Sequence, residues 1–245
     1  MKDEREQQAR ALCDSVREAD AAAVGEMLLR RPGLANVYVL ELCDWGEEYW
    51  LALHHAAVVG EVQVARLLLD AGASPDSRTR FRTPMHARES AVLIAVKHGR
   101  VDLVRLLLDR NGQFEVRDAN HVSALSHAAA IGSEPIIEML LGRGAMTDPI
   151  DDQQRTPLHH AIRGAHTGAA EQLVRAGADV NHLCLKEPTG YTPLHRCVSV
   201  GQDMIGVARL LLERGADVQA ADPRHGKTAR DLAEAAGLEG YLKLL

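Results

Sequence analysis

The most constraining feature of this sequence is that it repeats itself. The segment RTPLHHAIRGAHTGAAEQLVRAGADVN, Arg155 to Asn181, has imperfect copies along the chain. Marking each copy by its equivalent of Thr156 gives Ala11, Leu51, Ser90, Ser123, Thr156, Thr192 and Thr228, at intervals of 40, 39, 33, 33, 36 and 36. Nine residues after the mark a glycine recurs as Gly60, Gly99, Gly132, Gly201 and Gly237, with Asp20 and Ala165 in its place in the first and fifth copies. A second glycine recurs as Gly72, Gly112, Gly144, Gly177 and Gly215, and leucine pairs precede this point in most copies, from Leu28-Leu29 to Leu211-Leu212. A fixed period of this length is the signature of stacked modules rather than of one central core.

The copy at Thr156 reads as two short antiparallel helices. Thr156 offers a hydroxyl for the N-cap. Pro157 has its φ preset and gives up an N–H that would have no partner in the first turn. Leu158, Ala161 and Ile162 form the apolar stripe of the first helix; Ala169, Ala170, Leu173 and Val174 form that of the second. Gly177 suits the left-handed stop, and Asp179 and Asn181 begin a turn. Helices of two or three turns are marginal alone in water. Each pair buries its apolar face only against neighbours of the same kind, so the copies must stack.

The best-preserved copies are TPLHHAI at Thr156, TPLHRCV at Thr192 and ALHHAAVVGEVQVARLLLDAGASPD from Ala52 to Asp76. They closely resemble the ankyrin-repeat family, and the resemblance covers essentially all 245 residues as seven units. It implies an all-α solenoid of stacked helix-turn-helix units with short β-hairpin fingers, in a single domain over residues 1–245. The expected units are approximately 3–36, 44–76, 83–115, 118–148, 151–181, 187–220 and 223–245, the outer two acting as caps. It also implies that the first helices line a concave side, and that His54, His159 and His195, the H of T-P-L-H, bridge backbone groups of adjacent fingers. Leu93 and Ser126 replace that histidine in two units, so the bridge must be broken or rebuilt there. The family is an architecture that hosts unrelated roles, so function has to be argued from particular residues.

Composition narrows those roles. The net charge of −6 and the lack of a basic run argue against nucleic acid as a partner. The N-terminus, MKDEREQQARALCDSV, has no apolar core and does not read as a secretory signal. No apolar run approaches the roughly 18 residues that span a bilayer. Cys13, Cys43, Cys184 and Cys197 form no CxxC pair and read as free thiols of a reducing compartment. Nucleotide-cradling glycine motifs, HExxH and paired-carboxylate motifs are absent. The expectation is an intracellular protein, cytoplasmic or nuclear, monomeric, with no cofactor, no metal site and no membrane partner.

Three insertions break the regular period. The first, VYVLELCDWGEEYW from Val37 to Trp50, holds Tyr38, Trp45, Tyr49 and Trp50 in a chain that is only 3% aromatic. By the resemblance it projects as a hairpin finger. Its rings either anchor the finger on neighbouring units or contact a ligand, since aromatics are enriched at recognition surfaces. The second, from Ser77 to Glu89, is basic, with Phe81 among several arginines. Its Thr83-Pro84-Met85-His86 imitates the repeat motif, but counting back from Gly99 places the real helix start at Ser90. The acidic first insertion and basic second one project from the same edge, where they would pair or jointly wall a pocket. The third runs from His182 to Gly190, and two extra residues near Asp203-Met204-Ile205 predict a lengthened turn.

The position after the histidine bridge varies: Ser15, His55, Ile94, His127, His160, Arg196 and Leu232. Residues three and four further on share its face of the helix, which adds Arg163. With Arg155, His121 and Tyr191 from the fingers, the middle of the concave side reads as a locally cationic strip. The expected function is non-catalytic recognition of a protein or peptide partner, an acidic one by charge, at Tyr38, Trp45, Tyr49, Trp50, His55, Phe81, His127, Arg155, His160, Arg163, Tyr191 and Arg196. The alternative is an enzyme or small-ligand binder with a His/Arg-lined pocket walled by insertions 37–50 and 77–89.

Overall fold

The computed structural model describes residues 2–43, 46–81, 89–186 and 191–245. These fall into two compact units, Met1–Ala119 and Asn120–Leu245. Both are built from helix pairs in two layers. In the first unit, α1 (Lys2–Arg17), α3 (Ala52–Val59) and α5 (Ala91–Lys97) stack as one layer, and α2 (Ala21–Arg30), α4 (Val62–Asp70) and α6 (Val101–Asp109) as the other. In the second unit, α7 (Ala124–Ala130), α9 (Pro157–Arg163), α11 (Pro193–Val200) and α13 (Ala229–Ala235) form the first layer. There α8 (Glu134–Gly142), α10 (Thr167–Arg175) and α12 (Ile205–Glu213) form the second, and the short α14 (Glu239–Leu242) closes against α13. The chain is thus all-α repeat architecture, with one small sheet among the described residues.

The repeat marks are the helix starts. Leu51, Ser90, Ser123, Thr156, Thr192 and Thr228 each stand at the N-cap of a first-layer helix. The Ser123 hydroxyl accepts from the Ser126 N–H at 3.0 Å, the expected capping bond. Thr156 departs from this: its hydroxyl makes no cap bond and lies 2.9 Å from His159 Nδ1 instead. The first copy also departs. Ala11 lies inside α1, because Ala9, Leu12, Cys13 and Val16 extend the buried stripe back toward the N-terminus. The left-handed residue there is Ala19 (φ 58°), while Asp20 caps α2 by accepting from the Ala23 N–H.

The core is the apolar seam between layers. Leu53, Leu68, Leu93, Leu103 and Leu107 are buried in the first unit, as are Leu125, Ile136, Leu140, Leu158, Leu173 and Leu194 in the second. Each such side chain contributes about 1.5–3 kcal/mol on burial. Leu29 does not share in this: it is 86% exposed, on the outer side of α2. The extra residues of the sixth copy form a 3₁₀ turn, Gln202–Met204, that inserts buried Met204 before α12.

Neighbouring pairs are stapled at their turns. Arg100, the N-cap of α6, donates from Nε to the Val58 carbonyl at 2.9 Å. His166, in the same position before α10, donates from Nε2 to the Ala130 carbonyl at 3.0 Å. A Cβ on Gly60 would stand 2.6 Å from the Arg100 side chain, and one on Gly132 or Gly164 would stand 2.5 Å from the His166 ring. These glycines make room for the staple.

The first insertion is the expected hairpin, and it pairs with the second. Strand β1 (Val39–Cys43) runs antiparallel to β2 (Gly46–Trp50) in the register Val39↔Trp50 to Cys43↔Gly46. Strand β3 (Arg80–Phe81) pairs with the other edge of β2 through Glu48↔Phe81 and Tyr49↔Arg80. The helix that follows starts after Ser90 as counted; the motif-like Thr83–His86 lies outside the described residues. Cys13, Cys184 and Cys197 are buried free thiols. Among the described residues no helix is long and apolar enough to cross a membrane.

Candidate functional site

The histidine ladder is the frame on which the first-layer surface of each unit is hung. His54 accepts the Leu51 N–H at Nδ1 (3.1 Å) and donates from Nε2 to the Ser77 carbonyl (2.8 Å). His159 and His195 repeat this: each Nδ1 takes a threonine hydroxyl, from Thr156 and Thr192, and each Nε2 donates to the next finger, at the Tyr191 and Lys227 carbonyls. Burial pushes His54 and His159 down to about 4, so both are neutral bridges. Where Ser126 stands instead, its hydroxyl meets that of Ser123 at 3.0 Å and the ring's reach to the next finger is lost.

In the first unit the described aromatics hold the insertions down. The Trp50 ring packs on His54 (5.9 Å, edge-on) and on His55 (5.1 Å). His55 is 7% exposed, and its Nε2 lies 3.4 Å from an Arg17 guanidinium nitrogen. Burial first, then Arg17 and His54, drive its pKa to about 3. Tyr38 donates its hydroxyl to the Arg78 carbonyl at 3.0 Å and carries the Arg80 guanidinium 4.0 Å above its ring. Glu48 is buried beside Trp50 and Thr79, and that burial raises its pKa. Trp45 and the side chain of Phe81 lie outside the described residues. A cavity of about 280 Å³ opens between α1, α2 and the turn at Pro32–Asn36, lined by Ala11, Ala23, Met27, Leu34 and the stems of Arg30 and Arg31. None of its lining residues comes from insertions 37–50 or 77–89.

The second unit brings the other candidates together around a residue that the repeat pattern does not flag. Asp151 has a side chain 1% exposed and takes four donors. Its Oδ1 accepts the Gln153 N–H (2.8 Å) and the Arg155 N–H (2.9 Å); its Oδ2 accepts Arg155 Nε (2.9 Å) and His160 Nε2 (3.0 Å). Burial alone would raise this carboxyl, but the Arg155 amide and guanidinium and His160 outweigh it and hold it below its ordinary value. His160 is pulled down by burial and by Arg155, against the opposing pull of Asp151, so it is a neutral donor. Asp222 makes the same backbone loop before Thr228, accepting from Arg224, His225 and Lys227 amides. The available signal is an aspartate a few residues ahead of both threonines, the hallmark of an Asx turn.

Beside this network Tyr191 stacks parallel on His195 (5.6 Å, 5°), and the Arg196 guanidinium stands 5.1 Å from the tyrosine ring. Arg196 has its pKa lowered by burial, with Arg163 and Arg155 adding repulsion. Arg163 ends α9 in solvent. His127 is half-buried on α7, close enough to add a little to the lowering of His160. His121 is exposed and bonds Asp152 at 2.9 Å. The cationic strip therefore carries a buried carboxylate that takes donors from Arg155 and His160, with Arg163 exposed and His127, Tyr191 and Arg196 partly buried. Among the described residues no group of three or more His, Cys, Asp or Glu is placed to hold a metal ion.

The family model for ankyrin repeats (3 copies) matches residues 20–118, 92–184 and 125–222. The chain is 29% identical over 234 residues to the ankyrin repeat and KH domain-containing protein mask-1 of Caenorhabditis elegans, covering 91% of this chain and 8% of that protein. It is 31% identical over 170 residues to the B-cell lymphoma 3 protein homolog of Mus musculus, 67% of this chain and 36% of that one. It is 31% identical over 177 residues to the E3 ubiquitin-protein ligase XB3 of Oryza sativa subsp. japonica, 67% of this chain and 37% of that one. The chain thus spans little more than a third, at most, of these relatives' own length. With two stacks of helix pairs, fingers bridged by buried histidines and a family model running from residue 20 to 222, the chain belongs to the ankyrin-repeat family.

Proposed function

We propose that this chain is a non-catalytic recognition module that binds a protein or peptide on its first-layer helices and fingers. Ankyrin repeats are generic protein–protein interaction modules, which supports the class of function. The observation that carries the assignment to this face is a contrast between adjacent positions. The ladder histidines His159 and His195 are buried in like hydrogen bonds, whereas the next residues, His160 and Arg196, differ from each other and are only partly buried. A frame that is constant and a face that varies suit recognition by a rigid scaffold, which loses little ordering entropy on binding.

The site proposed comprises His127, Arg163, Tyr191 and Arg196 in the second unit, steadied by Arg155 and His160. In the first it comprises the insertion residues Tyr38, Tyr49, Trp50 and Phe81, together with Trp45 and His55. The partner binds to a monomeric chain inside the cell. Affinity capture from native extract tests this. Wild-type chain retains a partner set that the combined variant Trp50→Ala, His127→Ala, Tyr191→Ala and Arg196→Ala loses. Undiminished capture by that folded variant removes this face from the binding role, and turnover of a small molecule from the extract overturns the non-catalytic reading.

A further inference from the structure

The hairpin of the first insertion belongs to a sheet that ends on one of its own strands. The order is β1–β2–β3, antiparallel throughout, so β2 is paired on both sides. Among the described residues no strand pairs with the outer side of β1. The register fixes which groups face that side. Two residues join Cys43 to Gly46, so this pair closes the hairpin with its own hydrogen bonds, and bonded pairs alternate with non-bonded ones along an antiparallel ladder. Val39, Glu41 and Cys43 therefore turn their N–H and C=O groups to β2, and Leu40 and Leu42 turn theirs to the outer edge. The same alternation holds on β2, where Tyr49 faces away from β1 and pairs with Arg80 of β3. One face of the sheet buries Val39 and Glu48. On the other, Leu40, Tyr49 and Arg80 form a cross-strand row, the first two partly exposed and Arg80 exposed.

Charge says what suits this edge. From Val37 to Trp50 the ionisable side chains include Glu41, Asp44, Glu47 and Glu48 and no Lys or Arg. The strand that the hairpin already accepts, on β2, comes from a segment carrying Arg78, Arg80 and Arg82. A second copy of the chain suits the edge poorly. The two-fold register that uses Leu40 and Leu42 of both copies sets Glu41 against Glu41, and like charges directly opposite destabilise a strand pair. An open edge is a template for strand addition, in which main-chain bonds supply affinity and alternate side chains supply specificity. We propose that the outer edge of β1 takes an extended cationic segment of a protein partner as a further antiparallel strand, about 4.8 Å from β1. In this register a Lys or Arg stands opposite Glu41, with apolar residues opposite Leu40 and Leu42. The proposal rests on the reading of the fingers as part of the binding face and adds how the partner is held there.

Titration of the full chain with a short capped peptide of alternating Val and Arg tests it, read by amide NMR and calorimetry. The Leu40 and Leu42 amides are expected to shift and to gain protection from hydrogen exchange. In the bound register the Val N–H groups point at β1 and the Arg N–H groups point away. N-methylation of one Val is therefore expected to cost about fivefold in affinity, the scale of one backbone hydrogen bond, and N-methylation of one Arg to cost nothing. Leu40→Pro removes an outward N–H while leaving the bonds to β2, a position proline tolerates on an edge strand, and is expected to cost at least as much. A peptide of alternating Val and Glu is expected not to bind, and Glu41→Lys to reverse that preference. The N-methylated pair leaves the protein untouched and decides the matter even if Leu40→Pro fails to fold. Equal losses from both N-methylations, no binding of the Val/Arg peptide, or equal binding of the Val/Glu peptide overturns the proposal. A dimer of the chain that Leu40→Pro abolishes gives the edge to a second copy and overturns the cationic occupant. Binding that survives Leu40→Pro but is lost in Tyr38→Ala keeps the finger as a binding face and removes strand addition. Binding indifferent to every finger substitution removes the finger itself.

Discussion

His160 Nε2 stands 3.0 Å from Asp151 Oδ2, on the same carboxylate oxygen that takes Arg155 Nε at 2.9 Å. One buried anion thus ties a finger residue and a first-layer helix residue into a single unit. Removing one partner of such a buried pair leaves the other charge uncompensated, at a cost of about 3–5 kcal/mol, and Asp151 also satisfies two backbone amides. Asp151→Ala is expected to destabilise the second unit by that order in urea unfolding followed by circular dichroism. Asp152→Asn, at an exposed pair with His121, is expected to stay within about 1 kcal/mol of wild type. Because the native carboxyl is held below its ordinary value, its contribution is present above about pH 4, the unfolded value, and is lost as pH falls through the native one. Equal stability of the two variants would mean the network is only a local ornament.

The histidine ladder acts at higher pH. His54 and His159 are held neutral with pKa about 4 against about 6.5 in the unfolded chain. The unfolded chain therefore binds protons that the native chain refuses. Stability is full above about pH 6.5 and falls as pH drops toward about 4, by about 1.4 kcal/mol per pH unit for each such histidine in the unfolding unit. His159→Leu, which copies the residue that Leu93 already supplies in another repeat, is expected to lower stability at neutral pH. It is also expected to flatten the acid slope of the second unit. Urea unfolding across this range reads both, and a wild-type slope that the variant keeps would place the acid sensitivity elsewhere.

Most of the fold is legible in the sequence because the repeat encodes its own punctuation. Six marked positions are N-caps, and the decoy at Thr83 is excluded by counting back from Gly99, whose φ is positive as a stop requires. The first copy is misplaced by that count because the buried stripe Ala9, Leu12, Cys13 and Val16 runs through the marked position, which leaves Ala11 inside α1 rather than at a cap. The candidate site is less legible. Arg163, Arg196 and Tyr191 stand out because they sit at the varying position or beside it. Asp151 does not, because its role depends on loop geometry: its carboxylate folds back on its own amides before it reaches His160. The burial of His55 under Trp50 is hidden likewise, since register in the hairpin, not spacing along α3, brings the indole over that ring.

Glycines in and beside helices give a test with opposite signs. Gly206 lies in α12, where an added Cβ would meet nothing within 4 Å, so Gly206→Ala is expected to stabilise by about 0.5 kcal/mol through helix propensity. Gly164 follows α9 with an ordinary φ of −80°, so propensity alone favours alanine there too. Its Cβ would instead stand 2.5 Å from the His166 ring, the staple to the preceding turn. Gly164→Ala is expected to destabilise by about 1–3 kcal/mol, the range for overpacking. In the His166→Ala background most of that penalty should vanish, since the ring is gone. A penalty that persists there would mean the clash is with the backbone and not with the imidazole.

Ala165 holds a backbone that glycine holds elsewhere. Its φ is 56°, against 65° at Gly99, 69° at Gly132 and 65° at Gly237. A side chain in the left-handed region costs about 1–2 kcal/mol through contact of Cβ with the following carbonyl. Placing glycine there relieves that strain but also loosens the unfolded chain, which offsets about 0.4–1 kcal/mol of the gain. The net expectation for Ala165→Gly is a gain of about 0.5–1 kcal/mol, with Ala165→Val losing more than about 1 kcal/mol because a β-branched side chain crowds the same contact. The two substitutions bracket the site: if strain governs this turn, the order of stability in urea unfolding is Gly, Ala, Val. If alanine proves the most stable, then the turn after α9 relaxes around its side chain. In that case the position of Arg163, two residues before it, is set by the helix stack alone.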